Sequence, residues 1–127
     1  MIIRSAKELT VYQRAYAQAL EVFRATQSFP REERYSLIDQ VRRSSRSVCT
    51  NLREAWSKRR YEAHFVSKLS DADGENAEVD TWLDLARDCG YLDEDAHQRL
   101  VSINMEVGKM LGAMMSKPDS FLLCSRR

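Results

Sequence analysis

The spacing of the apolar residues constrains the fold of this chain more than any other feature. Apolar residues recur every three or four positions in four consecutive stretches, which is the period of an amphipathic α-helix. The chain has only four glycines and two prolines among 127 residues, so the turns that a fold of many short strands requires are missing. The sequence therefore predicts one all-α domain over residues 1–127.

Breaks in this pattern place the helices at about 9–27, 34–59, 61–89 and 93–116. Pro30 ends the first stretch, and an irregular turn through residues 31–33 is expected before the second. Gly90 suits a left-handed stop to the third helix, and Asp93 suits a cap for the fourth. Short connections between four such helices favour an antiparallel up-down-up-down four-helix bundle. Residues 117–127 should form a flexible tail, or one docked on a neighbouring subunit.

Two helices have a feature that a single apolar face does not explain. The first helix has two apolar sets, which are Leu9, Tyr12, Tyr16, Ala19, Phe23 and Thr26 on one face and Val11, Ala15 and Val22 on another. In the third helix, Asn76 stands where an apolar residue is expected. A buried asparagine is costly unless it is paired, and it can fix register or oligomer state. Partial exposure through a slight rotation of the helix is the alternative.

A near-neutral total charge of +1 hides a division between the second and third helices. Seven bases and one acid, Glu54, lie between positions 42 and 60. The bases are Arg42, Arg43, Arg46, Arg53, Lys58, Arg59 and Arg60. Ten acids and one base, Arg87, lie between positions 71 and 95. Separated fields of opposite sign can join copies of a protein or attract a charged partner.

The seven bases are candidate contacts to nucleic acid, because several cations projecting together can neutralise phosphates. Arginine suits bidentate contact with phosphate, but it suits carboxylate equally. Pairing with the acidic helix, within or between subunits, and a solvated face are therefore the alternatives. Trp56 and Tyr61 lie among the bases and could stack on unpaired bases or serve as half-buried packing residues.

No catalytic or metal-binding pattern accompanies these charges. His64 and His97 stand alone, and the cysteines form no closely spaced pair. The cysteines are expected to be small buried hydrophobes, although the bases beside Cys49 could lower the pKa of its thiol. We expect no enzymatic activity, no metal and no cofactor. No apolar run is long enough to span a bilayer and no signal peptide is visible, so a cytoplasmic protein is predicted.

Five segments, spread over about residues 8–116, resemble motifs of one known family. They are 29–37 (FPREERYSL), 40–44 (QVRRS), 51–55 (NLREA), 88–92 (DCGYL) and 106–111 (EVGKML). They resemble the FPxEExxxL, Q(I/M)RRA, N(I)AEG, xxLGYL and EIGRML motifs of a family of four-helix-bundle proteins. These proteins were first associated with intervening sequences in bacterial large-subunit ribosomal RNA. The family also includes the accessory variability determinants of diversity-generating retroelements.

The resemblance implies a ring-shaped homopentamer of antiparallel bundles around a central pore, without enzymatic activity of its own. In retroelement members, it implies that basic surfaces bind a partner reverse transcriptase and its template RNA. Those members are usually basic throughout, whereas this chain is neutral with an acidic block, and Cys49 stands where proline is usual. We expect oligomer or partner contacts at a second set of positions. These are Asn51, Glu54, Trp56 and Asn76.

Two hypotheses about function follow. In the first, the protein is a nonenzymatic adaptor that binds RNA or DNA, and in a retroelement the reverse transcriptase, through the arginine-rich face of a homopentamer. In the second, it is a structural or protein-interaction oligomer whose basic stripe pairs with the acidic helix at subunit contacts.

Overall fold

The computed structural model describes residues 2–123, and within them it contains four α-helices and no β-strand. The helices are α1 (Thr10–Thr26), α2 (Leu37–Ser57), α3 (Glu62–Asp88) and α4 (Glu94–Ser116). Single 3-10 turns lie at Ala6–Glu8, Arg31–Glu33 and Asp119–Phe121. The four predicted helices are confirmed, with ends that differ by less than one turn.

The helices form a four-membered ring of contacts. Each packs against its neighbours in sequence, and α1 closes the ring against α4. Within residues 2–123 the diagonal pairs α1–α3 and α2–α4 make no backbone-level contact. This arrangement, with short connections, confirms the predicted up-down-up-down bundle.

Local signals end α3 and begin α4 as predicted. Gly90 has a φ of 83°, a left-handed conformation that favours glycine. The backbone N–H of Tyr91 donates to the Ala86 carbonyl at 2.8 Å, and that of Gly90 donates to the Arg87 carbonyl at 2.9 Å. These two bonds satisfy the last carbonyls of α3 in a Schellman motif. The Asp93 carboxylate then accepts a bond from the Ala96 N–H at 2.8 Å and caps α4.

A layer of polar side chains crosses the middle of the core. The Gln18 Nε2 group donates to Asn76 Oδ1 at 3.1 Å, and Asn104 Nδ2 donates to Gln18 Oε1 at 3.0 Å. Asn76 and Asn104 also donate to each other's backbone carbonyl, at 3.0 and 2.9 Å. Helix α2 has two fully buried serines, Ser44 and Ser45, which bond to their own helix. The bonded layer therefore joins α1, α3 and α4.

The polar layer separates two apolar clusters, one towards each end of the bundle. The cluster at the end where α1 begins contains Val11, Ala15, Val48, Leu52, Phe65, Leu69, Val107 and Leu111. The cluster at the other end contains Val22, Phe29, Leu37, Val41, Val79, Leu83, Leu92 and Leu100. Asn76 is only 4% exposed and its amide is bonded within the chain. The prediction that Asn76 contacts a partner is therefore wrong, and its role is to pair inside the bundle.

The structure buries one of the two apolar sets of α1 completely and the other only in part. Val11, Ala15 and Val22 are buried together with Gln18, whereas of the other set only Leu9 and Thr26 are buried. Tyr16 and Phe23 are 52% and 37% exposed, although they belong to the set with the longer helical pattern. In α4 the buried face includes Asn104 and Leu111, whereas the neighbouring Ile103 and Met110 are half-buried.

The tail of the chain docks on its own bundle as far as it is described. The Phe121 ring stacks on Phe65 with ring centroids 6.2 Å apart. The Leu123 N–H donates to the Arg59 carbonyl at 3.1 Å. This docking of residues 117–123 on their own bundle corrects the expectation of a flexible tail, and contact with a neighbouring subunit stays a prediction. The rest of the predicted tail lies outside the described residues.

The connection between α1 and α2 is tied to the turn between α3 and α4. The Tyr91 hydroxyl donates to Glu33 Oε2 at 2.8 Å, and the Tyr91 ring packs on Phe29 at 5.3 Å between centroids. The Ser36 hydroxyl donates to Glu33 Oε1 at 2.6 Å. The bonds from Ser36 and Tyr91 lower the pKa of the Glu33 carboxyl. The bond to Glu33, helped by burial, raises the pKa of Tyr91 to about 12.

Replacing a single member of the polar layer should cost more than replacing all three of its amide side chains. Asn104→Leu removes the donor to Gln18 Oε1 and leaves this buried oxygen without a partner, at about 1–3 kcal/mol for an unsatisfied group. The triple variant Gln18→Met/Asn76→Leu/Asn104→Leu leaves no such groups among these side chains. Urea denaturation of the single and triple variants measures the comparison. A triple variant less stable than Asn104→Leu would contradict this role for the layer.

The Tyr91–Glu33 bond should make the stability advantage of the native chain over Tyr91→Phe depend on pH in two windows. The raised pKa of Tyr91 means that the advantage is full below about pH 10, the ordinary tyrosine value, and is lost as pH rises through about 12. The lowered pKa of Glu33 means that the stability advantage also decreases as the pH falls below about 4.5. Denaturation midpoints across pH test this, with Tyr61→Phe as the control. A pH-independent difference between the two chains would contradict it.

Candidate nucleic-acid interface

A surface groove of about 620 Å³ runs along the first half of α2 and the turn before it. We call it the arginine groove. Its lining residues are Arg34, Tyr35, Ile38, Asp39, Arg42, Arg43, Arg46, Ser47 and Thr50. The opposite side of α2 is held in the core by Val41, Ser45 and Val48, so helical geometry turns these residues outward. Four arginines therefore converge on one exposed surface.

Arg42 is oriented by contacts with α1. Its Nε donates to Thr26 Oγ1 at 2.8 Å, and its guanidinium lies 4.7 Å from the centroid of the Phe23 ring. Within residues 2–123 it makes no ion pair with a carboxylate. A half-buried arginine fixed at Nε still has its terminal N–H groups for an anion.

Arg43 is the one base of the predicted seven that pairs with a carboxylate within residues 2–123. Its Nη2 lies 2.9 Å from Glu78 Oε1, and its Nη1 lies 3.5 Å from Glu75 Oε1, both on α3. The nearby Lys68–Glu54 pair, at 2.7 Å, has the opposite polarity, with the base on α3 and the acid on α2. Pairing between the basic and acidic helices therefore occurs within the subunit, but it occupies one arginine only.

The bases at the end of α2 form a second set, separate from the groove. The Arg59 guanidinium lies 3.5 Å over the Trp56 ring, and its Nε donates to the Trp56 carbonyl at 2.7 Å. Its Nη1 also approaches the Phe121 carbonyl at 3.5 Å, and burial lowers the pKa of this guanidinium. Arg59 and Trp56 therefore hold the tail, and one face of Trp56 is covered. Lys58 and Arg60 lie beside them, and both are exposed.

The remaining predicted residues lie on the surface of α2 without forming one cluster. Arg53 is exposed and makes no ion pair within residues 2–123. Asn51 is half-buried, and its Nδ2 donates to the Ser47 carbonyl at 2.9 Å and to the Ser47 hydroxyl at 3.1 Å. Glu54 is exposed apart from its bond to Lys68. Asn51 is thus bonded to its own helix, and it stays a candidate for subunit contact only at its exposed edge.

A second groove, of about 500 Å³, lies between α1 and α2, and we call it the aromatic groove. Its lining residues are Tyr12, Tyr16, Ala19, Leu20, Phe23, Arg46, Cys49 and Thr50. Arg46 and Thr50 line both grooves, so the two form one continuous surface. Sequence reasoning missed this surface, and it missed Arg34 and Tyr35. The two apolar sets of α1 were the available signal, because together they are wider than the face of the helix that the core covers.

The cysteines differ from expectation in two ways. Cys49 is buried, and burial raises the pKa of its thiol to about 11. The lowered pKa considered from its basic neighbours is therefore wrong. Cys89 is exposed, although the sequence predicted a buried residue. Cys124 lies outside the described residues.

Neither a metal site nor a membrane span is found in the described part of the chain. Within residues 2–123 no group of three or more His, Cys, Asp or Glu side chains is placed to hold a metal ion. His97 is buried, with its Nε2 2.8 Å from Asp84 Oδ1. No helix among these residues is both long and apolar enough to cross a bilayer.

Comparison with solved structures supports the bundle. The chain is similar to a protein of unknown function from the S23 ribosomal protein family of Bacteroides thetaiotaomicron, solved by crystallography at 1.70 Å. The two share 23% sequence identity with a TM-score of 0.76, over 84% of this chain and 96% of the other. At this identity the likeness concerns the fold. No functionally curated protein matches the chain.

Comparison with protein families gives a match over most of the bundle. Residues 7–113, from the first 3-10 turn to the last turn of α4, match the model described as 23S rRNA-intervening sequence protein. The matched region contains every residue that lines the arginine groove and the aromatic groove. The chain belongs to the family of 23S rRNA-intervening sequence proteins.

Proposed function

We propose that the protein is a nonenzymatic, RNA-associated adaptor that binds RNA through the arginine groove. The observation that supports this most is that four arginines share one groove and only Arg43 has a carboxylate partner within residues 2–123. The family's description, which refers to intervening sequences of 23S ribosomal RNA, agrees with an RNA ligand. Action in the cytoplasm is part of the same proposal.

The chemistry of the groove suits phosphate. Arginine presents several N–H groups in a plane that matches two phosphate oxygens, and each neutralised phosphate releases counterions. Arg34 and Arg46 lie at the two ends of the set and make no ion pair within residues 2–123. Arg43 is half-exposed in its pairs with Glu75 and Glu78, so those pairs are weak enough to exchange for a phosphate. DNA would offer the same phosphates.

A homopentamer and a reverse transcriptase partner belong to the finer form of the proposal. A ring of five copies would present five arginine grooves. Binding at several grooves at once would raise the avidity for a long RNA. In a retroelement, the same surface would hold the reverse transcriptase with its RNA. Arg53, Lys58 and Arg60 would extend the basic surface along α2 and beyond its end.

A structural or protein-interaction oligomer is the second candidate function. The observation that favours it is the α2–α3 pairing geometry itself, in which Arg43 meets Glu75 and Glu78. Exposed acids on α3, such as Asp73, could receive arginines of a neighbouring copy in the same way. In that case the arginine groove would be filled by the next subunit.

Removing Arg34 and Arg46, two of the three groove arginines that make no ion pair within residues 2–123, should weaken RNA binding and make it less dependent on salt. We expect Arg34→Gln/Arg46→Gln to bind a labelled RNA hairpin with single-stranded flanks about tenfold or more weakly, since bonds to charged groups contribute about 1.5 kcal/mol or more each. The log–log salt slope should become less steep by about 0.7–0.9 for each phosphate that the protein no longer neutralises. Fluorescence anisotropy over a salt series measures both quantities.

The matched control is Arg14→Gln/Arg99→Gln, which removes the same charge from exposed arginines on the α1–α4 side. This variant should bind RNA like the native chain. Equal affinity of all three proteins would contradict the arginine groove as the RNA site. Dissociation of an assembly by Arg34→Gln/Arg46→Gln, seen in light scattering without any RNA binding by the native chain, would instead support the oligomer function.

A further inference from the structure

Three aromatic side chains are exposed to solvent on the surface formed by the two grooves. Tyr35 is 83% exposed, Tyr16 is 52% exposed and Phe23 is 37% exposed. Tyr35 lies in the arginine groove, and Tyr16 and Phe23 lie in the aromatic groove. Large rings exposed in one contiguous region of a surface indicate a binding site.

These rings are not needed to complete the core. The inner side of α1 is filled by Val11, Ala15, Gln18 and Val22, each at most 3% exposed. Tyr16 and Phe23 lie seven positions apart, which is two helical turns, so both project from the same outer side of α1. Tyr35 lies just before α2, in the connection that the Tyr91–Glu33 bond holds to the turn between α3 and α4. Its ring projects beside Arg34.

Cations flank each of the three rings. The Arg34 guanidinium lies 5.9 Å from the Tyr35 centroid, and that of Arg42 lies 4.7 Å from the Phe23 centroid. Arg46 lines the aromatic groove that contains Tyr16, and among residues 2–123 no acidic residue lines that groove. Lys7 lines the adjoining surface beside Tyr12 and Tyr16. Apart from Asp39 in the arginine groove, the surface therefore combines planar rings with positive charge.

We infer that this surface is a stacking site for unpaired bases, so that the preferred ligand of the protein is single-stranded RNA. Unpaired bases would stack on Tyr16 and Tyr35 while their phosphates contact Arg46 and the other groove arginines. The inference rests on the proposed RNA-binding function and specifies its ligand class.

A single strand fits this surface better than a duplex or an apolar protein surface. Bases in a duplex are already stacked and paired, so exposed rings add nothing to duplex binding, whereas each base stacked on an aromatic ring raises affinity about tenfold. An apolar partner would cover the rings but would leave the flanking cations without an anion. Only an anion with planar apolar groups satisfies the rings and the cations together.

The test replaces the rings without removing apolar character or charge. The variant Tyr16→Leu/Tyr35→Leu keeps every arginine, and Tyr16→Phe/Tyr35→Phe is its matched control because it keeps the rings. We expect the leucine variant to bind a single-stranded pyrimidine-rich RNA at least about tenfold more weakly, with duplex affinity and salt slope unchanged. The phenylalanine variant should bind like the native chain.

A fluorescent base analogue in the single strand gives a second readout. Stacking on a ring should quench 2-aminopurine in the native complex, and the leucine variant should lose this quenching at saturating protein. Native single-strand affinity and quenching in the leucine variant would overturn the inference. A change of assembly mass in that variant would also overturn it, because the surface would then be an interface between copies of the chain.

The same experiments separate failure of the inference from failure of the proposed function. If the native chain binds RNA with a dependence on Arg34 and Arg46 but not on Tyr16 and Tyr35, only the stacking inference fails. If the native chain binds neither single-stranded nor duplex RNA, both fail.

Discussion

The buried polar layer fixes how α1, α3 and α4 are each rotated about their own axes. Gln18, Asn76 and Asn104 bond to one another across these three helices. A rotation of any of these helices would leave amide groups unpaired in a region that water cannot reach, which is costly. Because Gln18 must point inward, Tyr16 and Phe23 must point outward. The two grooves therefore depend on a network that contributes no residue to them.

The division of charge along the sequence becomes a division of surface in the bundle. Helix α2 has α3 on one side and α1 on the other, so the arginine groove has an acidic flank and an aromatic flank. Arg43 meets the acidic flank through Glu75 and Glu78, while Arg42 meets the aromatic flank through Phe23. The acidic flank repels a polyanion and the aromatic flank does not. The near-neutral total charge thus conceals a surface that is acidic on one side of the arginine groove and aromatic on the other.

The sequence predicted the features that depend on local chemistry. The four helices and the end signals at Gly90 and Asp93 agree with the structure because each follows from a periodic pattern or a single backbone requirement. The orientation of α1 could not be predicted, since both of its apolar sets have a helical period. What decides it is Gln18, a polar residue whose partners lie on α3 and α4. The role of Arg59 in holding the tail could not be predicted either, because Phe121 is distant in sequence.

The docked tail has a consequence for how the chain can be handled. Ile3, Leu9 and Phe121 line the same surface, so both ends of the described chain lie at one pole of the bundle. Tyr35 and Gly90 lie at the opposite pole, in the connections that link the other ends of the helices. A tag, a fluorophore or a linker to a solid support at either end would therefore leave the connection before α2 open to solvent. The molecule can be tethered by one pole while the other pole stays available.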